Sequence, residues 1–478
     1  MRCSGNYEAV CDRRSFLGRC STCTAGIAAM SMFGLPAVCS SFASAQQNAE
    51  KAKIRLIFAY PDPEKPNWPN IGYDFTGRIR ELTGKLSQGC PNIEFLPVNV
   101  MSGEAQEAEK ILQSDNNVDG YIVYLVGCLW GNIPETIATS GKPMIIVDEL
   151  FAGSGEFLTS YAGMKRKGHK IAAVSSSRFE DVIESVKCFE CLKHMQTSTA
   201  LVVGAEADSV IQLVYGTTMR KVEFREMNDI YRAVEKTEAK KWADRWVSEA
   251  EKVIEPPLIE VEKAAAMYLA MVNAMQKYHA NAITINCLGG IYSGQMPDAY
   301  PCLGFMQLDN DGLVGACEAD QRSTVTKMLM SNLTGCPGFI SDPVIDTSKN
   351  QIIYAHCVAP TKVYGPDGPS NPYHIRDHSE DRKGACNRSL MPIGEQTTTL
   401  LFDHHKKQVI IHQGITAENV DDDKACRTKL AVEVQGDIYK LMTYWDEWGW
   451  HRVTFYGDHK RKVSTITALL GFDVIEEA

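Results

Sequence analysis

Two patterns of apolar and polar positions divide this chain, and the change from one to the other falls near residue 335. Before it, short apolar runs stand between stretches of helical periodicity. Residues 53–60 (KIRLIFAY), 93–100 (IEFLPVNV), 120–127 (GYIVYLVG) and 143–149 (PMIIVDE) read as strands; 74–88, 103–114 and a segment near Ile133 read as helices. Apolar strands alternating with helices predict a parallel sheet covered on both faces. The charged stretch GMKRKGHK at 163–170 closes this unit. A second unit repeats the grammar. It has a helix over 179–194, strands TALVVG (199–204) and KVEFRE (221–226), and a long helical region over 227–279 broken by Pro256-Pro257. Strands NAITINC (281–287) and LGFMQLD (303–309) follow, then a helix expected to begin after Asp311-Gly312 and to hold Glu318 in its mouth.

Beyond residue 335 the runs are short and alternating: TTTLLFD (397–403), KQVIIHQG (407–414), CRTKLAVEV (426–434) and HRVTFYGD (451–458). They predict a small antiparallel barrel or sandwich. A loop over 359–395, rich in proline, glycine and charge, is too long for a plain connection and is expected to cover an active site. Residues 468–475 (ALLGFDVI) read as a helix and a final turn. The expected fold is therefore α/β: two Rossmann-like parallel-sheet domains (46–168 and 169–335) followed by a β-rich domain (336–478), a small antiparallel barrel.

The 478 residues are too many for one core. A net charge of −10 argues against nucleic acid as a partner, and no run of apolar residues beyond the N-terminal region is long enough for a membrane helix. Residues 1–45 combine Arg13-Arg14, a mildly apolar stretch over 24–38 and Ala43-Ser44-Ala45. They resemble a twin-arginine export signal, which implies a periplasmic protein beginning near Gln46, or a cytoplasmic one if the signal is not used. The simpler reading is a tail with a chance Arg-Arg. Five of the sixteen cysteines lie in this region; the other eleven have no framework spacing and are expected as free, mostly buried thiols. Folding before export would also let a weak Mn²⁺ site fill away from copper and zinc.

Candidate chemistry gathers in residues 312–357. Glu318, Asp342 (in a turn after GCPGFIS) and His356 (closing QIIYAHC), with His451 in WGWHRVTFYGDHKRK, offer two carboxylates and one or two imidazoles. Such a set suits Mn²⁺ or Mg²⁺ better than Zn²⁺. Each has a plainer reading: Glu318 as an acid at a helix start, Asp342 as turn chemistry before Pro343, His356 as a satisfied strand histidine. Asp346 and His459 are the nearest substitutes. Trp450 beside His451 offers an aromatic wall for a sugar, and Arg376 and His378 in the long loop are candidates for substrate hydroxyls or a solvated loop. Cys188-x-x-Cys191-x-x-His194 lacks a fourth ligand and reads as core packing; His404-His405 reads as a hairpin turn.

Taken in order, Gly315-Ala316-Cys317-Glu318-Ala319-Asp320, Ser341-Asp342, Tyr354-Ala355-His356-Cys357, Met391-Pro392-Ile393-Gly394-Glu395, Cys426-Arg427-Thr428 and the run from His451 to Gly457-Asp458-His459 resemble the L-fucose isomerase and L-arabinose isomerase superfamily. The similarity spans most of the chain after residue 45. It implies that Glu318, Asp342 and His451 bind a metal, with His356 matching an extra histidine of the arabinose branch. It also implies an aldose–ketose isomerase using Mn²⁺ or Mg²⁺ and an enediol, in which Glu318 and Asp342 also supply the catalytic acid and base in either order, with sites formed where protomers of a trimer or hexamer meet. Asp342 leans to the fucose side, and the mixture of branch features leaves the sugar open. A catalytically silent exported sugar-binding or sensing protein, and a metal enzyme acting on sugars by another reaction, are the rival readings.

Overall fold

The computed structural model describes residues 50–478; the expected export signal lies outside the described residues. Five strands form the first sheet: β1 (Ala52–Ala59), β2 (Ile93–Val100), β3 (Gly120–Leu125), β4 (Met144–Asp148) and β5 (Ile171–Ser175). Their order is β2-β1-β3-β4-β5, all parallel. Helices cover both faces, so β3 and β4 are buried along their whole length. Ile57, Val123, Ile146 and Phe157 lie in the apolar core this creates. Because β5 pairs with β4, the first sheet reaches past residue 168.

The second sheet holds β6 (Thr199–Val203), β7 (Thr218–Val222), β9 (Ala282–Ile285) and β10 (Val314–Cys317), parallel in the order β10-β9-β6-β7. Here two expected strands change. Only the first residues of KVEFRE extend β7; Phe224 opens a helix, Phe224–Arg232. LGFMQLD lies within the helix Cys302–Asn310, every residue of which is buried. A short apolar run carries no period that separates a strand from a helix buried on all sides. The long helical region resolves into Phe224–Arg232, Lys236–Glu249 and Leu258–Lys277, with β8 (Lys252–Val253) before the Pro256-Pro257 break. Gly312 begins no helix. It turns into β10, and the helix starts later, at Gln321.

The C-terminal strands are β11 (Phe339–Asp346), β12 (Gln351–His356), β15 (Gln396–Asp403), β16 (Gln408–Asn419), β17 (Thr428–Val434) and β18 (Arg452–Tyr456). They pair antiparallel in the order β15-β18-β11-β12-β17-β16, and β16 returns to β15. The six-stranded barrel is thus closed and has no free edge. The expected final turn is instead β19 (Asp473–Glu476), parallel to the start of β16. The long loop carries β13 (Tyr373–Arg376) and β14 (Cys386–Ser389), which join β8 in a small sheet. Among the described residues no helix is long and apolar enough to cross a membrane.

Candidate metal and active site

β10 ends at Cys317, at the carboxyl edge of the second sheet, where open parallel sheets place ligands. The chain then turns through two successive left-handed residues, Glu318 (φ 62°) and Ala319 (φ 53°). Non-glycine residues avoid this region, and such turns concentrate at functional sites. Asp320 caps the Gln321–Thr334 helix, accepting from Ser323 N (3.0 Å) and Ser323 Oγ (2.7 Å). Glu318 therefore stands before the helix cap, not in the helix's first turn.

The barrel supplies the other side. β18, β11 and β12 are adjacent, with Ser341 opposite Arg452 and Asp342 opposite Ala355. His451, Asp342 and His356 consequently meet at one rim of the barrel, facing Glu318. His451 Nε2 lies 3.2 Å from Asp342 Oδ1 and 3.6 Å from Glu318 Oε2; His356 Nε2 lies 3.9 Å from Glu318 Oε1. The four residues singled out as metal ligands thus come together. Two overlapping donor sets, Asp342–His356–His451 and Cys317–Glu318–His356, are compact enough to hold a cation. They open on a pocket lined by Glu318, Asp342, His356, Tyr300, His378 and Glu380 among others.

The imidazoles carry different hydrogen bonds. His451 Nδ1 donates to Asp320 Oδ2 (2.9 Å), which turns Nε2 toward the acids. Burial alone would lower the His451 pKa, but Asp320 and Asp342 outweigh it and raise it to about 10. Burial likewise opposes ionisation of Asp320; His451 and Ser323 overcome it and bring that carboxyl to about 2. Asp342 is also held below the usual carboxylate range: burial acts against this, and His451, His356 and Trp450 prevail. The His356 pKa is lowered, chiefly by burial. Its Nδ1 accepts from Cys357 N (2.9 Å), which places the ring proton on Nε2. To ligate through Nε2, His356 must move that proton to Nδ1 and give up this contact. Both Nε2 atoms are buried: that of His451 lies against Asp342 Oδ1 without good hydrogen-bond geometry, and that of His356 has no hydrogen-bond partner among the described residues.

The other candidates divide. Trp450 is mostly exposed and donates from Nε1 to Asp342 Oδ1 (2.5 Å), so it orients a carboxylate. His378 lines the cavity beside Tyr300, 5.2 Å between ring centroids. Arg376 does not; Glu255 and Asp423 (3.0 Å) engage its guanidinium. His459 bonds the Tyr456 carbonyl (2.8 Å), and Asp346 caps a turn with Ser348, both apart from the cluster. The long loop does form a wall of the cavity through His378 and Glu380. Cys188 and Cys191 are core residues, and His404 and His405 follow β15 in a turn, each within 2.8 Å of the Asp208 carboxylate.

Three features of the site escaped the sequence reading. Asp320 was in a motif, and the cap signal Asp-x-x-Ser marks it, but nothing in sequence shows that it reaches His451. A buried ion pair, Lys327 Nζ to Asp309 Oδ2 (2.6 Å), braces β10, with Gly315 N donating to Asp309 Oδ1. Thiols crowd the cavity: Cys287, Cys302, Cys317, Cys357 and Cys426 all line it. All eleven described cysteines are free.

No protein-family model matches the chain. It is similar to the sulfoquinovose isomerase of Clostridium sp. (strain MSTE9), 23% identical over 278 residues, which are 56% of this chain and 60% of that protein. It is also 23% identical to the sulfoquinovose isomerases of Priestia aryabhattai and Priestia megaterium over 187 residues, 38% of this chain and 41% of each relative. The chain therefore spans 60% of the length of the first of these relatives and 41% of the other two. Among curated proteins, its similarity is to enzymes named for the isomerisation of sulfoquinovose, at 23% identity.

Proposed function

We propose that this protein is a divalent-cation-dependent isomerase that interconverts an open-chain aldose and its ketose. The observation that carries the reading is the convergence of Glu318, Asp342 and His451 beside a pocket, with the buried His451 Nε2 turned toward both carboxylates. Two carboxylates and an imidazole fit Mn²⁺ or Mg²⁺. Glu318, Asp342 and His451 would hold the ion, which when bound would polarise the substrate carbonyl. The similarity to enzymes named isomerases supports the same class.

The chain's own residues suit proton transfer between neighbouring carbons. Trp450 anchors Asp342. The Glu318 carboxylate has a side chain one-third exposed and is held by no hydrogen-bond donor among the described residues. Of the two carboxylates, Glu318 is therefore the less restrained and the better able to take a proton from one carbon and return it to the next. His356 Nε2–H faces the same space and can donate to a substrate oxygen. Asp320 fixes the His451 ring.

The test is metal analysis of the purified protein, followed by a screen of Mn²⁺- and Mg²⁺-loaded protein against pentoses, 6-deoxyhexoses and sulfoquinovose for ketose formation. One bound divalent ion and an aldose–ketose conversion that Glu318→Gln reduces by at least about a hundredfold are expected. Sugar binding with neither metal nor conversion would replace the proposal with a silent binding protein. Full activity in Glu318→Gln would remove that residue from the mechanism.

A further inference from the structure

The thiols around the cavity are not used by the proposed chemistry, and two of them stand in a particular relation to it. Cys287 opens the short helix after β9, Cys317 ends β10, and their Sγ atoms are 3.2 Å apart. The two strands are paired in parallel, with Cys317 opposite Ile285, so the sheet itself brings the two thiols into register. Both line the cavity although each is otherwise buried, so the cavity is their route to small reagents. Cys317 is followed directly by Glu318, in its left-handed turn.

We propose that Cys287 and Cys317 are a peroxide-sensitive pair that closes to a disulfide and thereby disables the site. Cys287 as thiolate attacks one oxygen of hydrogen peroxide; the O–O bond breaks, leaving a sulfenic acid on Cys287 and hydroxide, which takes up the thiol proton as water. The Cys317 sulfur then attacks the sulfenic sulfur, the S–O bond breaks, and a second water leaves with the Cys317 proton. Two thiols and one peroxide give one disulfide and two waters. Either thiol of the pair can donate to the other, and the product is the same whichever sulfur attacks first. A disulfide is about 2.05 Å long, so closure draws the two sulfurs together by roughly 1 Å. Glu318 is one peptide bond from Cys317, so the cross-link ties down the turn that presents it, and a reacting group misplaced by about 1 Å loses about a hundredfold in rate.

The inactivation rests on the isomerase reading; the cross-link does not. The full chain, loaded with Mg²⁺ to avoid metal-catalysed peroxide chemistry, is treated with a small excess of hydrogen peroxide, then alkylated, digested and mapped by mass spectrometry. The expected product has lost two hydrogens, joins the Cys287 and Cys317 peptides and reverts with dithiothreitol. The matched loss of isomerisation, about a hundredfold, should reverse with it and be absent in Cys287→Ser. Absence of that cross-linked peptide, or a cross-link confined to Cys302, Cys357, Cys386 and Cys426, would overturn the proposal. Equal reversible inactivation of Cys287→Ser would overturn the link to the site. A clean cross-link in a protein with no isomerase activity before treatment would instead sink the isomerase reading and leave the dithiol standing.

Discussion

His451 and His356 face the same carboxylates but are held by opposite kinds of bond: one ring donates from Nδ1, the other accepts at Nδ1. This separates their roles by experiment. His451→Gln should abolish stoichiometric Mn²⁺ binding in equilibrium dialysis, whereas His356→Gln, which keeps a donor, should retain one ion and lose turnover. Loss of the ion in both would make His356 a ligand. Asp320 makes a similar separation. Asparagine caps helices as well as aspartate does, so Asp320→Asn should keep the melting temperature within a few degrees. Cation affinity should nevertheless fall about 10–100-fold, because the imidazole loses the carboxylate that orients it. Equal affinity in a titration of both proteins would show that the His451–Asp320 bond is dispensable.

At the scale of elements, β10 and the turn after it decide where Glu318 stands. The buried Lys327–Asp309 pair ties the helix behind β10 to the preceding one, and Asp309 also receives the Gly315 N–H. Removing one partner of a buried pair leaves the other charge stranded, at about 3–5 kcal/mol. Lys327→Ala should lose that much in denaturant unfolding, and a loss under 1 kcal/mol would mean the pair is no brace. The elements also show where sequence was readable. Continuous apolar runs flanked by helical periods gave β1, β3, β4, β6 and β9 close to their observed ends, because burial on both faces selects for such runs. LGFMQLD satisfied the same rule and is a helix, since a segment buried on all sides loses its period. Glu318 was recognisable as a candidate, but the left-handed turn that presents it was not: glutamate and alanine carry no signal for positive φ.

At the scale of the whole molecule, the barrel's closure sets the site's second half. Short alternating strands after residue 335 announced a barrel, and the cross-strand register then places His451, Asp342 and His356 at one rim. What could not be read is the polar network in the barrel that steadies that rim. Glu477 accepts from His412 Nδ1 (2.8 Å) and Arg452 Nη2 (3.1 Å), and Arg452 Nη1 donates to the His451 carbonyl (3.1 Å). All three side chains are buried. Nothing in the string DVIEEA distinguishes this glutamate from a solvated tail. Burial opposes its ionisation, but Arg452 and His412 win, and its pKa is lowered. For a carboxylate depressed in the folded state, the stability it contributes is complete above its unfolded value near 4.5 and is lost as pH falls through the folded value. Melting temperature against pH should therefore drop on the acid side, and Glu477→Gln should flatten that limb while lowering stability at neutral pH. An unchanged acid limb in the variant would assign the drop to other carboxylates.

The same glutamate has a consequence for how the molecule comes apart. The strand after His451 is secured through Arg452, which Glu477 holds from just past β19 while Arg452 also bonds the His451 carbonyl. Detaching β19 should therefore loosen the rim and leave the first sheet intact. In a protein cut after Phe472, amide protons of β1, β3 and β4 should stay protected from deuterium exchange, while those of β18 should exchange faster.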